Sequence, residues 1–208
     1  MAGTTTEQAP VASARRRPPR LLVVCTANVC RSPMARGILA RRLRDAGVMA
    51  KVRSSGFLGS GHAPAKEAVA ALAEMGIDIS PHRSRSTSLA IVAGADVVIT
   101  MERQHVRDLM GVEMSAWPRV FPLRSLVERA QQIGERHGDE ELSAWIERLH
   151  HGRKAADLLV ADASEDIADP IGLPLSEFRS TARELDRLLS TFVQMAFPPG
   201  APKTVPAD

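Results

Sequence analysis

Two short stretches of this chain, Leu21–Val24 and Val97–Ile99, are apolar at every position. A strand with one face in water alternates apolar and polar residues. One that is apolar throughout is buried on both faces, as in a parallel sheet covered by helices on each side. The segments around these runs read as helices. Pro33 to Ala46 is one, and Pro64–Met75 is an alanine-rich one closed by Gly76. Glu102–Met110 is a third, and Ser176 to Ala196 is long and amphipathic, with Phe178, Leu185, Leu188, Leu189, Phe192 and Val193 on one face. Ala50–Ser54 and Arg119–Phe121 complete a set of four strand candidates. Strands alternating with helices predict an α/β fold with a mainly parallel sheet, whose ligands sit beyond the carboxyl ends of the strands.

Composition narrows the class of function. The 208 residues fit one domain, and five Phe, two Trp and no Tyr leave the core to aliphatic side chains. A formal charge of +3 is too small to argue for a nucleic-acid partner, and no aromatic platform offers stacking to a single strand. The two cysteines, Cys25 and Cys30, are too few for a disulfide scaffold and predict a cytoplasmic location. No apolar run approaches the roughly 20 residues that cross a bilayer, so no membrane partner is expected. The basic stretch Arg15–Arg20 lacks the apolar core and cleavage pattern of a signal peptide. Residues 1–19 and 198–208 read as a disordered arm and tail, and 123–151 as two charged helices around Gly134 and Gly138.

Chemistry concentrates where the first strand ends, in Cys25-Thr26-Ala27-Asn28-Val29-Cys30-Arg31-Ser32-Pro33. The pattern predicts Ser32 as N-cap and Pro33 at the first helical position. A loop between a buried strand and a helix start can turn successive N–H groups inward as an anion-binding nest, and the helix dipole adds to that field. Arg31 supplies a planar fork for two oxygens of a tetrahedral oxyanion. Such a field favours thiolate at Cys25, below the free value of about 8.5. A cysteine after an apolar strand is often only core; the strand before it and the helix start after Arg31 favour the functional reading.

Val24–Ala35 resembles the signature of the low-molecular-weight protein tyrosine phosphatases, a strand followed by V-C-x-G-N-I-C-R-S-P-M-A. The likeness continues through Ser54-Ser55-Gly56, Gly76–Ile79, His82–Arg85 and Asp96–Glu102, and resumes at Asp169-Pro170 and the last helix. It implies a single three-layer, flavodoxin/Rossmann-like α/β domain over 20–197. Its mainly parallel four-stranded sheet would be flanked by helices, with a helical insertion at 123–165. It also implies a phosphoprotein (tyrosine) phosphatase that works through a cysteinyl-phosphate, with no metal and no cofactor. Cys25 would attack phosphorus, Arg31 would bind the phosphoryl oxygens, and Asp169 would serve as acid and then base, with Asp166 and Asp162 as fallbacks. Thr26, Ala27, Asn28, Val29 and Cys30 would form the phosphate cradle. Asn28 would hold its shape, and Ser32 would donate to the Cys25 sulfur. Ser55 and His82 would brace the asparagine, with Ser54 competing for the place of Ser55. Cys30 would form a reversible disulfide with Cys25. The substrate implied is a phosphorylated protein or aryl phosphate; the oligomeric state stays open.

Three features depart from the family pattern. Ala27 stands where Gly is usual, which costs energy if that residue needs a positive φ. Ile171-Gly172 follow Asp169-Pro170 where aromatic residues often flank a substrate ring, leaving Phe57 as the best stacking candidate, with a core role as its alternative. The stretch 123–165 is longer than compact members need and reads as a solvated decoration rather than a lid or dimer surface. Val29 resembles the aliphatic residue of tyrosine phosphatases, whereas relatives acting on phosphoarginine carry Thr there. Two other functions remain open: reduction of arsenate with a small cytosolic thiol, and phosphate binding without efficient catalysis. A thioredoxin-coupled arsenate reductase would need further cysteines, and none follows Cys30.

Overall fold

The computed structural model describes residues 17–159 and 163–199. Most of the arm and tail expected to be disordered, and the fallback Asp162, lie outside the described residues. Four strands form one sheet: β1 (Arg20–Cys25), β2 (Lys51–Gly56), β3 (Val97–Thr100) and β4 (Val120–Pro122). Their order is β2-β1-β3-β4 and every pairing is parallel, with Leu21 opposite Val52 on one side and Val97 on the other. The expected α/β architecture is the one observed.

Alternation along the buried strands sorts their side chains into two layers. Leu21, Val23, Val97, Ile99 and Phe121 enter one core cluster. It is covered by α1 (Arg31–Asp45), α2 (Lys66–Ala73), α5 (Leu123–Ile133), α6 (Leu142–His150) and α7 (Leu175–Ala196). Leu22, Val24, Val98 and Val120 enter the other, under α3 (Leu89–Ala93) and α4 (Arg103–Val112). The chain leaves β1 toward β2 on one side and later returns to pair β3 on the other. The crevice beyond the carboxyl end of β1 is therefore the place where connections diverge and ligands fit.

Two expectations need correction. Helix α1 begins at Arg31 with Cys30 as its cap, so Ser32 and Pro33 lie inside the first turn rather than at cap and first position. Proline is tolerated there because first-turn N–H groups lack helical partners anyway. The helices of 123–151 are not a solvated decoration. Leu123, Leu126, Val127 and Ala130 of α5 and Leu142, Trp145, Ile146 and Leu149 of α6 are buried in the larger core cluster. The Trp145 indole N–H also donates to the Gly134 carbonyl at 3.1 Å, so even its polar edge is satisfied.

Candidate active site

Strand β1 delivers Cys25 to the sheet's edge, and residues 26–30 return the chain into α1. The tight return needs one left-handed residue. It falls on Asn28 (φ 54°), the only non-glycine with positive φ among the described residues. Asparagine tolerates that conformation, so Ala27 carries no strain of this kind. Gly56 of β2 lies so close to the loop that a Cβ would stand 2.7 Å from the Asn28 nitrogen and 2.8 Å from the Thr26 carbonyl. The loop is anchored from outside as well. The Thr26 carbonyl accepts from the N–H of Phe57 (2.6 Å) and Leu58 (3.1 Å), and the Val29 carbonyl from that of Ala65 (2.8 Å).

Buried polar groups fix its interior. Asn28 donates Nδ2 to Ser32 Oγ at 2.8 Å and accepts at Oδ1 from the Arg85 N–H at 2.9 Å. His82 Nε2 lies 2.8 Å from the Asn28 carbonyl, and because a carbonyl only accepts, that nitrogen carries the proton. Ser32 Oγ stands 3.0 Å from Cys25 Sγ and 3.4 Å from the Ser55 carbonyl. Its hydroxyl has one proton to give, and the sulfur is the nearer acceptor. The Ser55 hydroxyl pairs with Thr87 (2.9 Å), so Ser55 supports Ser32 through its main chain rather than reaching Asn28. Ser54 Oγ is buried with no partner among the described residues. Cys25 and Cys30 are both free and buried. Burial, then the negative field of Asp169, pushes the Cys30 thiol well above its ordinary range.

Arg31 is 2% exposed and collects partners from its own loop and from two distant parts of the chain. One terminal nitrogen bonds the Glu102 carboxylate and the Ile167 carbonyl (3.0 Å). The other bonds Asp169 Oδ2 (2.6 Å) and Thr26 Oγ1 (3.3 Å). Its Nε is buried and has no partner among the described residues, an unused donor of the guanidinium. Asp166, a fallback acid, instead accepts from the Arg103 N–H at the start of α4.

Glu102 and His105 are site residues to which sequence reasoning gave no role. Glu102 follows β3, and the only signal was an acid at the carboxyl end of a buried strand. His105 Nε2 lies 3.0 Å from Thr26 Oγ1 and 3.9 Å from a Glu102 oxygen, and its ring stacks on Phe57 with centroids 5.8 Å apart. Burial holds His105 below the ordinary imidazole range against the opposing pull of Glu102. Phe57 is half-buried against the smaller core cluster, and the exposed large apolar side chains in these loops are Leu58, Ile171 and Leu173. No group of side chains able to hold a metal ion occurs among the described residues.

The family model described as low molecular weight phosphotyrosine protein phosphatase matches residues 20–140. The chain belongs to this family. Among its relatives, a protein of Ralstonia solanacearum named "Probable low molecular weight protein-tyrosine-phosphatase EpsP" is 36% identical over 103 residues. The match covers 50% of this chain and 69% of that protein. The low molecular weight protein-tyrosine-phosphatase Wzb of Escherichia coli K12 is 34% identical over 106 residues, 49% of this chain and 68% of that protein. Among solved structures, a low molecular weight protein tyrosine phosphatase from T. tengcongensis superposes with a TM-score of 0.64 at 29% identity. It covers 85% of this chain and 98% of its own. The YwlE arginine phosphatase from Geobacillus stearothermophilus gives 0.62 at 26% identity, covering 85% and 92%. The phosphatase described here shares their fold, and its α5 and α6 belong to its own larger core cluster.

Proposed function

We propose that this phosphatase hydrolyses phosphotyrosine in protein, or a similar aryl phosphate, in two displacements on Cys25. The Cys25 thiolate attacks phosphorus as the phosphorus–oxygen ester bond breaks, and the leaving oxygen takes a proton from Asp169. This leaves a cysteinyl-phosphate. Water then attacks phosphorus, gives its proton to the Asp169 carboxylate, and releases phosphate and the thiolate. The Ser32 hydroxyl donates to the sulfur whenever it carries charge, while Arg31 and the loop N–H groups hold the phosphoryl oxygens.

One observation carries the reading. The loop arginine binds Asp169, 138 residues further along the chain, at 2.6 Å, while its Nε–H stays unpaired. This contact joins the candidate acid to the candidate nucleophile loop, which supports their acting on one substrate. Val29 favours phosphotyrosine over phosphoarginine on the resemblance already described, and the absence of a cysteine beyond Cys30 argues against relayed arsenate reduction.

The test is turnover of p-nitrophenyl phosphate. Cys25→Ser should abolish it while phosphate binding persists, and Asp169→Ala should lower kcat by about 10²–10⁴-fold. Full turnover by Cys25→Ser would end the nucleophile assignment. Binding without turnover in the wild type would leave a phosphate-binding module.

A further inference from the structure

Between the edge strand β2, helix α1 and the segment 78–85 lies a cavity of about 510 Å³. Its lining includes four arginines, Arg36, Arg53, Arg83 and Arg85, against one acidic residue, Asp78. Four positive charges against one negative equal the +3 of the entire chain, so the remaining residues balance. Several arginines elsewhere meet acids, as Arg42 does Asp186 and Arg179 does Glu74. Among the described residues, none of these four does. Arg83 bonds the Ser80 and His82 carbonyls at 3.2 and 2.7 Å, and Asp78 accepts from the Ser80 N–H at 2.8 Å.

A second observation marks the cavity as a binding site. Ser54, 6% exposed, lines it with a buried hydroxyl that has no partner among the described residues. A buried polar group of this kind costs free energy unless something bonds it. His82 lines the same wall, and Arg36, Arg83 and Arg85 add to burial in holding its pKa below the ordinary range. Its Nε2–H holds the Asn28 carbonyl, so a ligand here sits one side chain away from the phosphate loop.

We propose that this cavity binds a small ligand carrying two or more phosphoryl groups. One phosphate occupies one or two guanidinium forks; four forks around a cavity of small-ligand size suit several linked oxyanions. The wall is concave, and its one aromatic ring is His82, so it lacks the stacking platform that a nucleic-acid strand uses.

The test is calorimetric titration of the full chain with inorganic tripolyphosphate, compared with its competitive inhibition constant against p-nitrophenyl phosphate. The expected Kd is at least about tenfold below that inhibition constant, because the tight site is not the catalytic one. The double variant Arg53→Ala with Arg83→Ala, both exposed and outside the catalytic loop, should weaken the calorimetric Kd by at least about tenfold and leave the inhibition constant unchanged. Three results would each overturn the proposal: no binding below about 1 mM, a Kd equal to the inhibition constant, or a double variant that binds as the wild type does. A single-stranded oligonucleotide binding more tightly than tripolyphosphate, and lost in the double variant, would overturn the small-ligand assignment.

Discussion

Arg31 is held at both ends of its fork before any phosphate arrives, and this sets the order of events at the site. Arg31 Nε is buried and unpaired, and bidentate binding of a phosphoryl group requires a terminal nitrogen such as the one now on Asp169 Oδ2. In the proposed mechanism substrate displaces Asp169 from the arginine and frees its carboxyl to face the leaving oxygen. Asp169→Asn removes that competition. It should bind inorganic phosphate more tightly than the wild type by a few-fold while kcat falls by about 10²-fold or more, measurable as opposite shifts in product inhibition and turnover. Weaker phosphate binding in Asp169→Asn would mean that the pair organises the arginine instead. Cys25 and Arg31 were readable because a loop between strand and helix carries its chemistry in consecutive residues. Glu102 and His105 were not, since their roles depend on folding β3 beside β1. For Ser32 the family resemblance gave the contact with the Cys25 sulfur. The cap reading from propensity failed because the helix starts one residue earlier, and the sulfur and the Asn28 amide claim its hydroxyl.

Among elements, the register between β1 and β2 matters most, because it sets Gly56 against Cys25 and under the loop. Gly56 is required for space: its φ is ordinary, but a Cβ would collide with main-chain atoms of Thr26 and Asn28. Those atoms cannot yield without reshaping the nest. Gly56→Ala should therefore reduce kcat/KM by at least about tenfold and lower the melting temperature by several degrees, read from p-nitrophenyl phosphate kinetics and a thermal melt. Unchanged kinetics would show that the loop tolerates displacement. The four strands and the long helices were legible within a few residues, because continuous apolar runs and 3.6-residue periodicity survive in isolation. The five-residue helix α3 was not, being too short to display a period. The alanine-rich segment is α-helical over Lys66–Ala73 and is closed, as its glycine suggests, by Gly76 at φ 71°. The Gly76 N–H bonds the Ala73 carbonyl (2.9 Å) and the Ile77 N–H the Leu72 carbonyl (2.9 Å).

At the scale of the molecule, α5 and α6 change from appendage to core, a distinction that charge on their outer faces conceals in the sequence. Trp145, fully buried against Phe192 with ring centroids 6.3 Å apart, is the clearest test. Trp145→Ala should cost about 3–5 kcal/mol in urea unfolding, whereas a solvated helix would lose almost nothing. Acidity acts on the same cooperative unit. Burial is the leading cause that lowers the imidazoles of His82, His105 and His150 from the ordinary 6.5, so the unfolded chain takes up their protons first as pH falls. Stability from these groups is complete above pH 6.5 and is lost as pH drops through their lower folded values. Cys30 works from the other side. Its raised folded value means that the unfolded thiol ionises first, so stability falls as pH rises past the ordinary 9.0. The urea midpoint should be highest between about pH 7 and 8.5 and decline toward both pH 5 and pH 10. His82→Gln should flatten part of the acid limb, and a midpoint higher at pH 5 than at pH 7.5 would contradict the neutral, buried imidazoles on which that limb depends.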